Sequence, residues 1–369
     1  MFIPVSYSLR SLWVRKTTTI ATALGIGLVV FVLASSLMLS RGLERTLGSS
    51  GKSDRSIILR KGSENEMSSS IENTAVGITL SAPGVKKEGT TPLGTGEVIV
   101  VLTVEKLGTD GKLSNVQVRG VTTQSYAIRK ELKIVEGRPA QPGTDEAVIG
   151  SALVGKYAGF ELGKTFDLKK NRPITIVGIA DAGGTAFDSE IWVDLETLRS
   201  SFARGSTVSS VLVQLDSPAA FDGFEATVEH DKQLGLEAYR ESDYYEKQSE
   251  GTSIFITALG VLVTVFFSMG AMIGATITMY AAVSQRSKEI GTLKALGFSR
   301  LAILSAFVFE AFALALVGGL MGALASLAMG LVEFSMMNFA TWQELTFRFE
   351  PSPGILLGSM LAGGMMGFF

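Results

Sequence analysis

The chain has 369 residues, of which 46% are hydrophobic and only 18% charged, and its mean hydropathy of +0.33 is high for a water-soluble protein. Its formal charge is −2, with one histidine and no cysteine, which excludes disulfides, thiol nucleophiles and cysteine metal sites and gives no basic footprint for nucleic acid. The charges are unevenly placed: residues 17–40, 251–285 and 351–369 carry none, and 301–332 carry only Glu310. A helix rises ~1.5 Å per residue and the hydrocarbon core is ~30 Å thick, so each run spans or nearly spans it. The expected fold is a membrane protein with four transmembrane α-helices and a large extracytoplasmic α+β domain between helices 1 and 2.

In chain order, residues 1–16 read as an amphipathic interfacial helix, with Phe2, Val5, Leu9, Leu12 and Trp13 on one face and Ser6, Arg10 and Ser11 on the other. Transmembrane helix 1 and a stalk occupy 17–47, the helix continuing through Arg41–Leu47. The outer domain covers 48–238. Its strand candidates are Ser56–Arg60, Val98–Val104, Ser114–Arg119, Ala147–Gly150, Ile174–Ala180, Glu190–Val193 and Ser209–Leu215, each alternating or β-branched and bounded by turn formers. Leu195–Phe202 and Ala219–Gly235 are helical candidates, and the Ser/Thr/Gly-rich stretch Asn65–Gly96 is expected to contain a mobile loop. Residues 239–285 form a second stalk and helix 2, 286–300 a charged loop, 301–332 helix 3, 333–350 an outer loop, and 351–369 helix 4, which ends inside its apolar run.

Basic residues set the orientation. Arg10, Arg15 and Lys16 precede helix 1, and Arg286, Lys288, Lys294 and Arg300 lie between helices 2 and 3; Glu333, Glu344 and Glu350 face Arg348 alone between helices 3 and 4. The N-terminus and 286–300 are therefore expected in the cytosol, and 41–250 and 333–350 on the other side.

The 286–300 segment, RSKEIGTLKALGFSR, is the compact charged surface of an otherwise apolar half. A short helix near Lys288–Leu296 ended by Gly297 would put Ile290, Leu293 and Leu296 on one face. That face can fill a groove on a partner, with Arg286, Lys288, Glu289 and Lys294 at its rim. Positive-inside bias alone accounts for Arg and Lys but not for Glu289 beside Ile290-Gly291, nor for Ala295-Leu296-Gly297. No nucleotide loop is present: Gly51-Lys52-Ser53 has Thr46, and Gly163-Lys164-Thr165 has Ala158, where a phosphate-cradling loop needs glycine, so both read as turns. His230 is a lone histidine in a charged stretch and makes neither a base nor a zinc site; no metal and no catalytic group is expected.

The pattern Arg286-x-Lys288-Glu289-Ile290-Gly291-x-Leu293-Lys294-Ala295-Leu296-Gly297, followed by a membrane helix with one Glu, resembles the cytoplasmic coupling loop of MacB/FtsX-type ABC transporter permeases of the type VII superfamily. Val135–Arg138, Asp145–Gly150, Gly163–Phe166, Ile174–Ile179 and Phe187–Asp194 resemble, in family order, the periplasmic core domain of MacB-like permeases. Phe309–Ala311 and Gly318–Gly322 are similar to the family's third helix, while its Gly-rich basic tail after helix 4 has no counterpart in these residues.

The resemblance implies a permease in the bacterial inner membrane that passes ATP-driven movement to its outer domain. The expected partners are two copies of a cytosolic ABC ATPase, which would hold the ATP and Mg, and a second permease copy or homologue. A periplasmic adaptor, an outer-membrane exit protein and membrane lipid complete the set. The expected cargo is peptide, lipid or lipoprotein; the alternative is an FtsX-like scaffold that activates cell-wall hydrolases. Glu310 is an intramembrane candidate, ~15 Å along helix 3 from Arg300; two readings stand, a proton or substrate role and a structural pairing with an Arg or Lys near the inner interface, of which the pairing is the favoured one. Gly270 and Gly274, Gly318 and Gly322, and Gly354 and Gly358 are small-residue pairs that permit close helix packing.

Overall fold

The computed structural model describes residues 16–231 and 234–366. The amphipathic helix expected over 1–16 lies outside them, apart from Lys16. The chain divides into two compact units, Met1–Gly42 with Ser253–Glu333 and Arg348–Phe369, and Leu43–Thr252 with Phe334–Phe347.

The first unit is helical. Helix α1 (Lys16–Gly48) opens it. In the second unit follow α2 (Asn73–Leu80), α3 (Thr123–Ile128), α4 (Leu195–Ser201) and α5 (Phe221–His230). Then come α6 (Glu241–Gln285), α7 (Ser287–Ala295), α8 (Arg300–Met329) and α9 (Pro353–Met366). Among the described residues three helices, Thr19–Gly48, Glu241–Gln285 and Arg300–Met329, are long and apolar enough to cross a membrane. The fourth expected crossing is α9, whose 14 described residues fall short of the ~20 a crossing needs.

Close packing in the helical unit rests on glycine. A Cβ at Gly322 would run into the Gly27 carbonyl of α1, one at Gly318 into that of Ala23, and one at Gly363 of α9 into Val30. Gly318 and Gly322 thus bring α8 against α1. Gly270 and Gly274 behave differently: both are exposed on α6, with open space where a Cβ would point, so this pair packs against no other described helix. Helices α1 and α6 meet instead through Gly260 on Ser36 and a 3.2 Å hydrogen bond between the Thr22 and Thr278 hydroxyls.

The second unit is built on a ten-stranded mixed sheet. Its strands are β1 (Arg55–Arg60), β2 (Gly94–Glu105), β3 (Leu113–Val121), β4 (Lys133–Gly137), β5 (Glu146–Gly150), β6 (Thr165–Lys169), β7 (Arg172–Asp181), β8 (Glu190–Asp194), β9 (Ser210–Gln214) and β10 (Leu236–Arg240). The order is β10-β1-β9-β2-β3-β8-β5-β7-β4, with β6 also on β7. The pairs β3/β8 and β5/β7 are parallel and the central hairpin β2/β3 is antiparallel, with Val98 opposite Gly120.

Side chains alternate between the faces with the period of a strand. Ile58, Val98, Val118, Ile191 and Val211 enter the main apolar core on one face, where α2, α4 and α5 also bury side chains. The other face carries Glu97, Arg119, Glu190 and Trp192, and it too is buried.

Two regions carry more structure than their composition shows. The stretch Asn65–Gly96 holds α2, the two-stranded pair Lys87–Glu88 with Thr91–Pro92, and the start of β2. The loop between α8 and α9 is a hairpin of β11 (Glu333–Met337) and β12 (Glu344–Arg348).

Candidate functional site

The 286–300 segment is a helix with defined ends. α6 stops at Gln285, Arg286 breaks the geometry with ψ 13, and α7 begins at Ser287. At the far end Gly297 has φ +90, a left-handed position that glycine adopts without a Cβ penalty. Its N–H donates to Lys294 O at 3.1 Å and that of Phe298 to Leu293 O at 3.1 Å, the paired bonds of a Schellman cap. The Ser299 hydroxyl then accepts from Ala302 N at 3.2 Å and starts α8. One short helix is thus held between two long ones by Arg286 and by the Gly297–Ser299 turn.

Along α7, Lys288, Glu289, Gly291, Lys294 and Ala295 are exposed, Ile290 and Leu293 are half-buried, and Leu296 is exposed. The apolar face is therefore partly occupied by the chain itself and open at Leu296. Arg286 departs from the expected rim. It is buried, and its Nη1 lies 3.3 Å from Glu310 Oε2 on α8, with the guanidinium 5.9 Å from the centre of the Phe307 ring. Each charge of this pair would be costly alone in an apolar surround, and together they tie the α6–α7 break to α8.

The outer unit holds a second charged assembly that the sequence reading missed. Arg119 on β3 donates to Glu66, Glu97 and Glu190, with Nε to Glu190 Oε2 at 2.8 Å and Nη1 to Glu97 Oε2 at 2.9 Å. Arg129, just after α3, donates to Glu97 Oε1 at 2.6 Å and lies 3.3 Å from Glu241, the first residue of α6. Arg55 joins Glu131 to the same Glu241, whose carboxylate also accepts from Lys52 N at 3.2 Å. Burial works against these charges. Even so, Arg129 and Arg119 hold the Glu97 carboxyl below its ordinary value, and the carboxylates keep Arg119 firmly protonated. Phe187 packs under both cations and meets Tyr245 of α6 edge-on. Alternation in β2, β3 and β8 suggests a solvent face for Glu97, Arg119 and Glu190. The signal that could have found them is opposite charge on neighbouring strands flanked by Phe187 and Trp192.

The β11–β12 hairpin is the third feature. Lys106 Nζ lies 2.8 Å from Glu344 Oε1, and the other oxygen of that carboxylate accepts from the Ser114 hydroxyl. Lys156 Nζ donates to Thr346 Oγ1 at 2.9 Å, and Gln343 Nε2 to Ser189 O at 3.0 Å. Leu345 and Phe347 are buried. The turns read as failed nucleotide loops have local roles: Gly51 abuts the Glu241 backbone, and Gly163, φ +79, closes a turn before β6. His230 ends α5, exposed, with Nδ1 2.7 Å from Ala226 O. No cluster of metal-ligating side chains occurs among the described residues.

A sheet-based outer domain inserted between membrane-length helices, with a capped charged helix between the second and third of them, defines an ABC transporter permease. The family model for the MacB-like periplasmic core domain matches residues 19–231, and that for the FtsX-like permease C-terminal region matches 254–369; the chain belongs to this MacB/FtsX family. The chain is 26% identical over 389 residues to the uncharacterized ABC transporter permease YknZ of Bacillus subtilis, covering 98% of this chain and 94% of that one. It is 24% identical to the macrolide export ATP-binding/permease protein MacB of Hahella chejuensis, covering 98% of this chain but 58% of that longer protein. Among solved structures it is similar to the periplasmic region of MacB from Actinobacillus actinomycetemcomitans (14% identity, TM-score 0.40, 55% of this chain and 94% of that one). It is also similar to the extracellular domain of YknZ from Gram-positive bacteria (17% identity, TM-score 0.37, 50% and 99%).

Proposed function

We propose that this chain is the mechanotransmission subunit of an ABC transporter in the bacterial cytoplasmic membrane, with its N-terminus in the cytosol. Helices α1, α6 and α8 cross the membrane, and α9 belongs to the fourth crossing. Helix α7 docks on a cytosolic ATPase, which holds ATP and Mg; two such chains, or this one and a homologue, work with two ATPase copies. The outer sheet domain receives the movement and acts on peptide, lipid or lipoprotein, with a periplasmic adaptor and an outer-membrane exit protein as its outer partners. The MacB-type outer domain favours transport over an FtsX-like scaffold for cell-wall hydrolases.

One observation carries this reading. α6 follows strand β10 with no linker, runs unbroken for 45 residues, and is separated from α7 by Arg286 alone. A push on α7 therefore has a stiff path to the sheet. The exposed residues Lys288, Glu289, Lys294 and Leu296 are the surface offered to the ATPase, with Ile290 and Leu293 behind them. Arg286 and Glu310 hold the base of that helix rather than its rim.

The test is co-purification with the ATPase and the turnover of the complex. Leu293→Asp places a carboxylate in a desolvated contact at a cost of about 3–5 kcal/mol and should release the ATPase. Glu289→Lys, at an exposed position, should weaken coupling while leaving stability within ~0.5 kcal/mol. If both variants reach the membrane, retain the ATPase and keep full turnover, α7 is a topology signal and the proposal fails.

A further inference from the structure

We propose that the tip of the β11–β12 hairpin is a membrane-surface anchor, with Trp342 and Phe339 seated in the interfacial layer of the outer leaflet. The hairpin starts four residues after α8 ends and finishes five residues before α9 begins. Both strands therefore leave and re-enter at helices read as membrane-embedded.

The tip is fastened at a particular height along α6. Asn338 Nδ2 donates to Gln248 O at 3.4 Å, and Phe339 N to Thr252 Oγ1 at 3.4 Å. Gln248 and Thr252 straddle Glu250, the last charge before the uncharged run 251–285. Asn65 Nδ2 adds a 2.7 Å bond to Ala340 O. The tip thus sits where α6 passes from charged to apolar, which is the level of the membrane surface.

The turn itself is built to present an aromatic. Asn338 N donates to Gln343 O and Trp342 N to Asn338 O, both at 2.8 Å, and the Asn338 side chain accepts from Ala340 N at 2.8 Å. These bonds hold Trp342 at φ +57, a left-handed conformation that bulky residues rarely adopt and that Asn or Gly would fill at lower cost. The strained residue is nevertheless 54% exposed, beside Phe339 at 48%. At the base of the hairpin Leu331 is 88% exposed. A turn facing water gains nothing from that set. Tryptophan at a bilayer interface does, because its ring lies among the headgroups with the N–H still wet. The opposite side of the hairpin is clasped to the sheet domain through Gln343, Glu344 and Thr346, so the anchor ties that domain to the lipid surface.

The protein's three tryptophans permit a direct test. In a Trp13→Phe background, Trp192 is buried and only Trp342 is exposed. The full chain goes into vesicles of phosphatidylcholine brominated at acyl positions 6,7 or 11,12, with iodide as the water-phase quencher. Strong quenching by the 6,7-lipid, weaker by the 11,12-lipid and by iodide, and its loss in Trp342→Phe, is the expected result. Trp342→Tyr, which keeps an interfacial ring, serves if the first variant does not fold. Quenching by iodide but not by brominated lipid places the indole in water and overturns the proposal. Quenching by neither means that protein, a second copy included, covers it, and overturns it equally. The outcome does not depend on whether α7 binds an ATPase.

Discussion

At the scale of single residues, the outer domain is organised around Arg119. Its guanidinium is wholly buried and meets three carboxylates, Glu66, Glu97 and Glu190. Removing one member of such a set leaves the others charged and unpaired at a cost of about 3–5 kcal/mol. Arg119→Met should therefore lower the melting temperature of the outer domain by about 10 °C, read in the full chain through Trp192 emission. Trp192 is a local reporter, since its Nε1 donates to Glu190 Oε2 at 3.1 Å. A shift under about 2 °C would show that the network contributes little net stability. Arg286 teaches a related lesson. Its position beside a charged loop suggests a surface role, yet a carboxylate 24 residues along the chain draws it inward. Sequence displays the charges but not their partners.

At the scale of elements, legibility followed local patterning. β1, β2, β3, β5, β7, β8 and β9 are all visible as alternating or β-branched runs between turn formers. β10, LEAYR, is not: its residues favour helix, and pairing with β1 overrides that preference. The exposed β4 also lacks a core-facing pattern. Helix α7 was legible because charges interrupt two apolar runs and Gly297 ends it. The hairpin clasp was not, since Lys106 and Glu344 are 238 positions apart.

That clasp carries a pH signature. Burial would raise the Glu344 carboxyl, but the hydrogen bonds from Lys106 and Ser114 outweigh it and hold it below the ordinary carboxylate range. A depressed folded value means the contribution is complete above the unfolded value and is lost as pH falls through the folded one. Wild type should therefore melt a few degrees above Glu344→Gln near about pH 7, and the gap should close as pH drops below about 4.5. Groups remote from the clasp cancel in the comparison, so the difference reports on Glu344 and its immediate partners. A gap that stays constant with pH would mean that the charge is irrelevant to the clasp.

At the scale of the molecule, the two family matches follow one another along the chain, the first over residues 19–231 and the second over 254–369. The sidedness of that arrangement is testable because the chain has no cysteine. Lys16, Lys112 and Lys294 are all exposed. Single cysteines placed there should react with an impermeant maleimide in intact cells only at position 112, and at 16 and 294 only after the membrane is opened. Labelling of position 294 from outside would invert the topology and remove α7 from reach of any cytosolic ATPase.

The unbroken run of α6 has one more consequence, for torque. Under the proposed mechanism its forty-five residues, each turn hydrogen-bonded to the next, would carry a twist applied at Gln285 to Glu241. Glu241 is keyed at that end into the Lys52 amide, Arg55 and Arg129, which belong to the approach to β1, β1 itself and the segment after α3. β10 is an edge strand, held by β1 on one side, and a wrench applied only to it would peel it away. Under the proposed mechanism the ionic key spreads the load, so the sheet turns as one plate and its weakest seam is spared.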